Sequence, residues 1–145
     1  SQYFKAIRLS YVASAKDRFV SYCLGCIEKK ESADIFHPFY RNCITVSDVV
    51  NVVLWFAKHW EEYSPVFLNV AGKELVSRVR IADEINRILG NKLKYTISSP
   101  DESFYKNRPK ITQMESIYMQ KYGIIEDNTF TEKIQKELEE IKDEY

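Results

Sequence analysis

Residues 65 to 72, PVFLNVAG, form a near-continuous apolar run that leads directly into a helical pattern beginning near Ser77. A strand with so few polar positions is of the kind covered on both faces in a parallel sheet. A second run, FKAIRLSYV (4 to 12), is apolar and β-branched in the same way and starts with almost no lead-in. Each run is followed by an amphipathic helix, which confines the chain to α/β architectures.

The helices follow from periodicity and capping. In SAKDRFVSYCLGCIEKK (14 to 30), Ser14 with Asp17 three residues on makes a capping-box pattern, and Phe19, Val20, Cys23, Leu24 and Ile27 trace one helical face. ADIFH and NCITV are short strand candidates on either side of a turn-like segment from Pro38 to Arg41. Ser47 is expected to cap the next helix, worth ~1 kcal/mol, and Asp48 in its first turn suits the positive end of the dipole. Val49, Val50, Val53, Leu54, Phe56, Ala57 and Trp60 give that helix a broad apolar face, which predicts that it is largely buried.

Ser77 is expected to cap a helix carrying Ile81, Ala82, Ile85, Ile88 and Leu89, which Gly90 stops in a left-handed conformation. KLKYTIS alternates as a partly exposed strand does, and SPDESFYKNRP is a loop by composition. Helices are expected over 112 to 122, closed by Gly123, and over 129 to 143, with Phe130, Ile134, Leu138 and Ile141 inward. The expected order is β-α-β-β-α-β-α-β-α-α, without an internal repeat.

At 145 residues the chain suffices for one domain, a size that buries ~70% of the unfolded surface. With 45% apolar and 14% aromatic residues, and only four glycines and four prolines, it is neither disordered nor of low complexity. Its 21 basic and 21 acidic residues are interspersed, so no field gathers a polyanion, and nucleic-acid binding is not expected. The longest apolar run, Val52 to Ala57, is far too short to span a membrane, and a cytoplasmic location is expected. Three cysteines, an odd number, point to a reducing compartment rather than a disulfide framework. Cys23-Leu24-Gly25-Cys26 has redox spacing but sits in mid-helix, away from the helix N-terminus that would activate a thiol, and is read as packing.

The chemistry-bearing residues are sparse. His37 and His59 are the only histidines, and neither has a partner at metal-ligand spacing. The glycines, at 25, 72, 90 and 123, permit neither a dinucleotide fingerprint nor a phosphate-cradling P-loop. What remains are polar residues at strand ends: Ser10 and Tyr11 after the first strand, Arg41 before NCITV, and Arg108 in the long loop. Ligands collect beyond the carboxyl ends of parallel strands, and an arginine there offers a planar fork for phosphate or carboxylate. The pattern alone leaves open whether either arginine instead makes a structural ion pair.

Five segments carry a family resemblance: KAIRLSYV, KDRFVSYCL, YRNCITVSDVVNVV, VFLNVAGKELVSRVRIADEINRILG and RPKITQMESIYMQKYGI. In this order they resemble the C-terminal half of the extended short-chain dehydrogenase/reductases, in particular the dTDP-4-dehydrorhamnose reductase-like and nucleotide-sugar epimerase branch. The resemblance runs from about residue 4 to 140. It implies the last strands of a Rossmann-like sheet, about 4–12 and 65–72, interleaved with a small α/β substrate-binding domain in one truncated unit. In that family the glycine-rich NAD(P) loop and the Tyr-x-x-x-Lys pair precede the first strand seen here. Neither occurs in this chain, where no tyrosine has a lysine four residues on.

The resemblance therefore implies the substrate-binding portion of an NAD(P)-dependent reductase, epimerase or dehydratase acting on a nucleotide sugar. NAD or NADP would serve the complete protein; no cofactor binding and no turnover are expected of these residues alone. By the same resemblance Tyr11 faces substrate, Ser10 lies beside the nicotinamide end, Arg41 is directed at the nucleotide diphosphate, and Arg108 is a further substrate contact. Homodimers are common among such enzymes. Rhamnose-type reductases often have Gly-Ser-Pro where Tyr40, Arg41 and Asn42 stand, so the substrate need not be theirs. The alternative is a non-catalytic regulatory or scaffold subunit, as one relative is for a methionine adenosyltransferase, because a fold does not guarantee activity.

Overall fold

The computed structural model describes residues 3–145. It is an α/β chain in which short parallel ladders are bridged by helices. β1 (Ala6–Leu9) pairs in parallel with β6 (Phe67–Val70), placing Leu9 opposite Val70, so both strands end at the same edge. The segment 4 to 12 is not one strand. The Ser10 amide still donates to Val70 O at 3.1 Å, but the Tyr11 carbonyl accepts from the Ile44 amide at 2.9 Å. The chain thus changes partner at residues 10 and 11, and β2 (Val12–Ala13) continues in parallel with β5 (Ile44–Thr45).

α1 (Arg18–Lys29) is capped by Asp17 and not by Ser14. The Asp17 carboxylate accepts from the Ser14 amide, the one bond of the expected capping pair that forms, and itself caps the helix by accepting from the Phe19 and Val20 amides at 2.9 and 3.0 Å. Cys23 and Cys26 are buried in mid-helix, as the apolar helical face predicts. β3 (Ala33–Phe36) leads to β4 (Tyr40–Arg41), a strand where a turn was expected. α2 (Val46–His59) takes its cap from Thr45, whose Oγ1 accepts from the Asp48 amide at 3.3 Å. Ser47 lies inside the helix, and its amide donates to Glu137 Oε1.

β7 (Val76–Ser77) runs antiparallel to β4, and α3 (Arg78–Leu89) follows with Ser77 as cap and Gly90 as its left-handed stop at φ +64°. β8 (Tyr95–Ser98) pairs in parallel with β3. The expected loop after it holds one helical turn, α4 (Glu102–Tyr105). β9 (Ile111–Thr112) adds to the other side of β4, which shortens the next helix to α5 (Ile117–Tyr122). α6 (Phe130–Leu138), with a true capping box from Thr129 and Glu132, ends in a 3₁₀ turn (Glu139–Ile141).

The interior divides in two. The larger cluster is made by α1, α3 and α6 over Ala33 and Ile35 of β3. The smaller gathers Leu68 and Val70 of β6, Val52 and Phe56 of α2, Met119 of α5 and the fully buried Tyr63. Two expectations fail at this smaller cluster. β6 alternates rather than being covered on both faces: Leu68 and Val70 are buried, whereas Phe67 is 50% exposed. α2 is likewise only half covered, with Val50, Val53 and Leu54 exposed by 49%, 51% and 54%. The β1–β6 ladder has only two strands, and α2 buries against this cluster only the side that carries Val52 and Phe56.

Candidate functional site

Gly72 fixes the geometry beyond the strand ends. A Cβ at this position would run into the carbonyl oxygen of Cys43, so only glycine lets the exit of β6 lie against residues 42 and 43. The Gly72 amide donates to Asn42 O at 3.2 Å, and Asn42 Oδ1 accepts from the Met114 amide at 2.9 Å. Buried Asn42 therefore ties the β4–β5 connection to the β6 exit on one side and to the segment after β9 on the other. Arg41, one residue earlier, is paired across the ladder with Val76 and Thr112.

Arg41 is half-buried, with its Nη1 donating to the Tyr40 carbonyl and its guanidinium carbon 4.0 Å from the centre of the Phe39 ring. The same ring lies 4.4 Å from the guanidinium carbon of Arg78, the first residue of α3. Arg78 also stands 5.5 Å from Phe19 and 5.8 Å from Phe104, and Arg108 lies 5.1 Å from Phe104. Phe39 and Phe104 contact each other at 5.9 Å. Three guanidiniums thus share a two-ring platform, and no carboxylate lies within ion-pairing distance of any of them among the described residues. Their acidities reflect this. Burial lowers the pKa of Arg41 and then the charge of Arg78 lowers it further; burial does the same to Arg78, with Arg108 adding to the effect.

The four residues singled out from the sequence are placed unevenly. Arg41 and Arg108 both join the platform, and neither makes the structural ion pair that the pattern left open. Tyr11 lies next to it, close enough for its charge state to respond to Arg78, but its hydroxyl donates to Asp17 Oδ1 at 2.9 Å. Burial, and then Asp17, pushes the Tyr11 pKa far up, so its proton stays in place across the ordinary pH range. Ser10 lies at the common edge of β1 and β6, half-buried, with its amide committed to Val70.

Arg78 escaped the sequence reading, although one signal pointed to it. Helix first turns favour acidic residues, so an arginine at the first position of α3 opposes the dipole and calls for another reason to be there. The aromatic floor carried no comparable signal, because Phe19, Phe39 and Phe104 come from three separate segments.

What the arrangement can do is bind an anion. It offers no activated nucleophile: burial, followed by the charge of Asp17, pushes the Cys43 thiol up to about 12, and burial, followed by Cys26, pushes Cys23 up to about 12. No cluster of metal-binding side chains occurs among the described residues. A separate cavity of about 410 Å³ opens between the β6 exit, α5 and the start of α6, lined by Cys43, Gly72, Met119, Phe130 and Lys133 among others. None of the platform residues reaches it; of its lysines, Lys73 pairs with Asp127 of the same lining and Lys133 pairs at 2.7 Å with Asp48, which lies outside it.

No family model and no curated protein matches this chain. Solved structures do. A dTDP-4-dehydrorhamnose reductase from Clostridium acetobutylicum superposes with a TM-score of 0.75 at 18% identity, covering 93% of this chain and 48% of that one. UDP-glucuronic acid 4-epimerase from Bacillus cereus, in complex with UDP-glucuronic acid and NAD, gives 0.68 at 15%, covering 96% and 45%. The shared fold is mixed α/β and Rossmann-like, and these neighbours are extended short-chain dehydrogenase/reductases. UDP-glucose 4-epimerase from Thermotoga maritima, solved with UDP-glucose, adds 0.71 at 14%, covering 95% and 45%. The chain thus spans about half the length of the structures it matches. No helix among the described residues is long and apolar enough to cross a membrane.

Proposed function

We propose that this chain is the substrate-binding portion of an NAD(P)-dependent enzyme that reduces, epimerises or dehydrates a nucleotide sugar, with Arg41 and Arg108 gripping the diphosphate. The observation that carries the reading is the meeting of these two arginines, from distant segments, on the Phe39–Phe104 platform without a carboxylate between them. A guanidinium left without an acidic partner keeps its fork free for phosphate oxygens. The dinucleotide loop and the Tyr-x-x-x-Lys pair belong, in this reading, to polypeptide outside these residues. Hydride chemistry would be the cofactor's, and this portion would orient the sugar.

The half-open sheet supports the same domain assignment. β1 has no partner on its second edge among the described residues, and Val50, Val53 and Leu54 of α2 stand exposed. Further strands of a Rossmann-like sheet would pair with the one and pack against the other. The second reading, a non-catalytic subunit of the same fold, gains some support from Tyr11, whose hydroxyl is spent on a helix cap and cannot be donated to a substrate without giving up that bond.

Kinetics decide between these readings. In the complete protein, Arg41→Ala should raise KM for the nucleotide sugar about tenfold or more with a smaller change in kcat, since losing a charge-assisted contact costs ~1.5–3 kcal/mol. Unchanged KM would remove Arg41 from the site, and absence of turnover with any nucleotide sugar, in the presence of NAD or NADP, would favour the non-catalytic subunit.

A further inference from the structure

The three guanidiniums are more than a simple anion grip requires. A single phosphate or carboxylate is met well by one bidentate arginine, yet here a third cation has been added at a position that is unfavourable for it in several ways. Arg78 opens α3, where the positive end of the helix dipole repels it. Arg108 depresses its basicity, after burial, and it in turn depresses that of Arg41, the mark of like charges held close together. Its Nε is buried without a hydrogen-bond partner, an omission that costs stability in any folded protein. No acceptor among the described residues meets the rest of its guanidinium.

The one carboxylate whose charge acts on it, Asp17, is already occupied. Its Oδ1 accepts from the Tyr11 hydroxyl and from the Phe19 and Val20 amides, and its Oδ2 accepts from the Ser14 amide. Rings of Phe19, Phe39 and Phe104 stand 4.4 to 5.8 Å from the Arg78 guanidinium, which holds it in place. A half-buried cation without an acidic partner, next to two more, is an arrangement that a multiply charged ligand resolves better than a singly charged one.

We infer that Arg78 is a third anion contact of this site and its specificity-determining residue, making it select ligands with two linked phosphates over ligands with one. The inference rests on the anion-site reading above and adds to it the residue and the charge requirement. Arg41 and Arg108 provide the grip, and Arg78 provides the discrimination from the side of α1.

The test is equilibrium binding to the intact protein carrying this chain, by calorimetry, with sodium pyrophosphate and sodium orthophosphate as probes. Wild type should bind pyrophosphate at least about tenfold more tightly than orthophosphate. Arg78→Met, which keeps an unbranched side chain against the rings, should weaken pyrophosphate about tenfold or more and remove most of the difference between the two probes, while Arg78→Lys should retain part of it. A measurement that needs no variant is the Arg78 Nε–H nuclear magnetic resonance, expected to shift on titration with pyrophosphate and much less with orthophosphate. Retained affinity and discrimination in Arg78→Met, an unmoved Nε–H signal, or no pyrophosphate binding by wild type would each overturn the inference. UDP-glucose separates it from the broader reading. If Arg41→Met weakens UDP-glucose and Arg78→Met does not, the nucleotide-sugar site stands and this role for Arg78 falls; if pyrophosphate depends on Arg78 and no nucleotide sugar binds, the reverse holds.

Discussion

The larger core, where α1, α3 and α6 pack over β3, closes on itself, whereas the smaller one, between β6, α2 and α5, is closed on one side only. In the larger, even a charge is fully enclosed. Glu84 of α3 is completely buried and accepts from Arg80, Arg87, Thr131 and Gln135, which clips α6 to α3. In the smaller, Val50, Val53 and Leu54 of α2 and Phe67 of β6 stand about half exposed, although they are as apolar as anything in the closed core. The difference shows that apolar patterning records what a surface is suited to meet and leaves open whether the partner is within the same stretch of chain. The arginine platform lies on the flank of the closed core, which gives its residues a rigid support.

Ile134→Ala should have the largest effect on this contrast. Its side chain is fully buried between α6 and α3, and truncation should cost ~3 kcal/mol, read as a lowered urea midpoint. A loss below ~1 kcal/mol would mean that the closed core is looser than its burial implies.

Leu54→Asp comes next and asks what covers α2. In the 145-residue chain it should change stability by less than ~0.5 kcal/mol. In a longer protein that covers this flank it should cost ~2 kcal/mol or more, because a charge would then be buried without a partner. Equal, small effects in both would show that the flank is an ordinary exposed surface.

The smallest expected effect is a pH dependence from Glu84. Burial alone would raise its pKa, but the hydrogen bonds from Thr131, Gln135 and Arg80 and the charge of Arg87 outweigh burial and leave it below the ordinary glutamate value. A carboxyl with a depressed folded pKa contributes stability above its unfolded pKa of ~4.3, and that contribution is lost as pH falls through the folded value. The acid limb of stability should therefore flatten in Glu84→Gln relative to wild type, as followed by urea midpoints from about pH 6 downward. Parallel limbs would remove Glu84 as a source of the acid dependence.

Much of the fold was legible because its causes are local. The stripes over α1, α3 and α6, the left-handed stops at Gly90 and Gly123, and the mid-helix cysteines are set by residues within one or two turns of each other. Caps were located less well: Asp17 and Thr45 displaced Ser14 and Ser47 because several neighbouring side chains could serve, and backbone geometry chose among them. Arg41 and Arg108 stood out as forks at strand ends and in a loop. Whether they had acidic partners could not be read from their neighbours in sequence.

By itself the sequence determined the α/β class, the two apolar strands and most helices, since hydrophobic period and helix-end chemistry act over a few residues. Only the tertiary structure decided that residues 4 to 12 change partner at Ser10 and Tyr11, that α2 is covered on one flank, and that Arg78 joins Arg41 and Arg108 over Phe39 and Phe104. Those outcomes depend on contacts between segments tens of residues apart. Such contacts are fixed by where each ladder ends and by the one close approach, Gly72 against Cys43, that no side chain would have allowed.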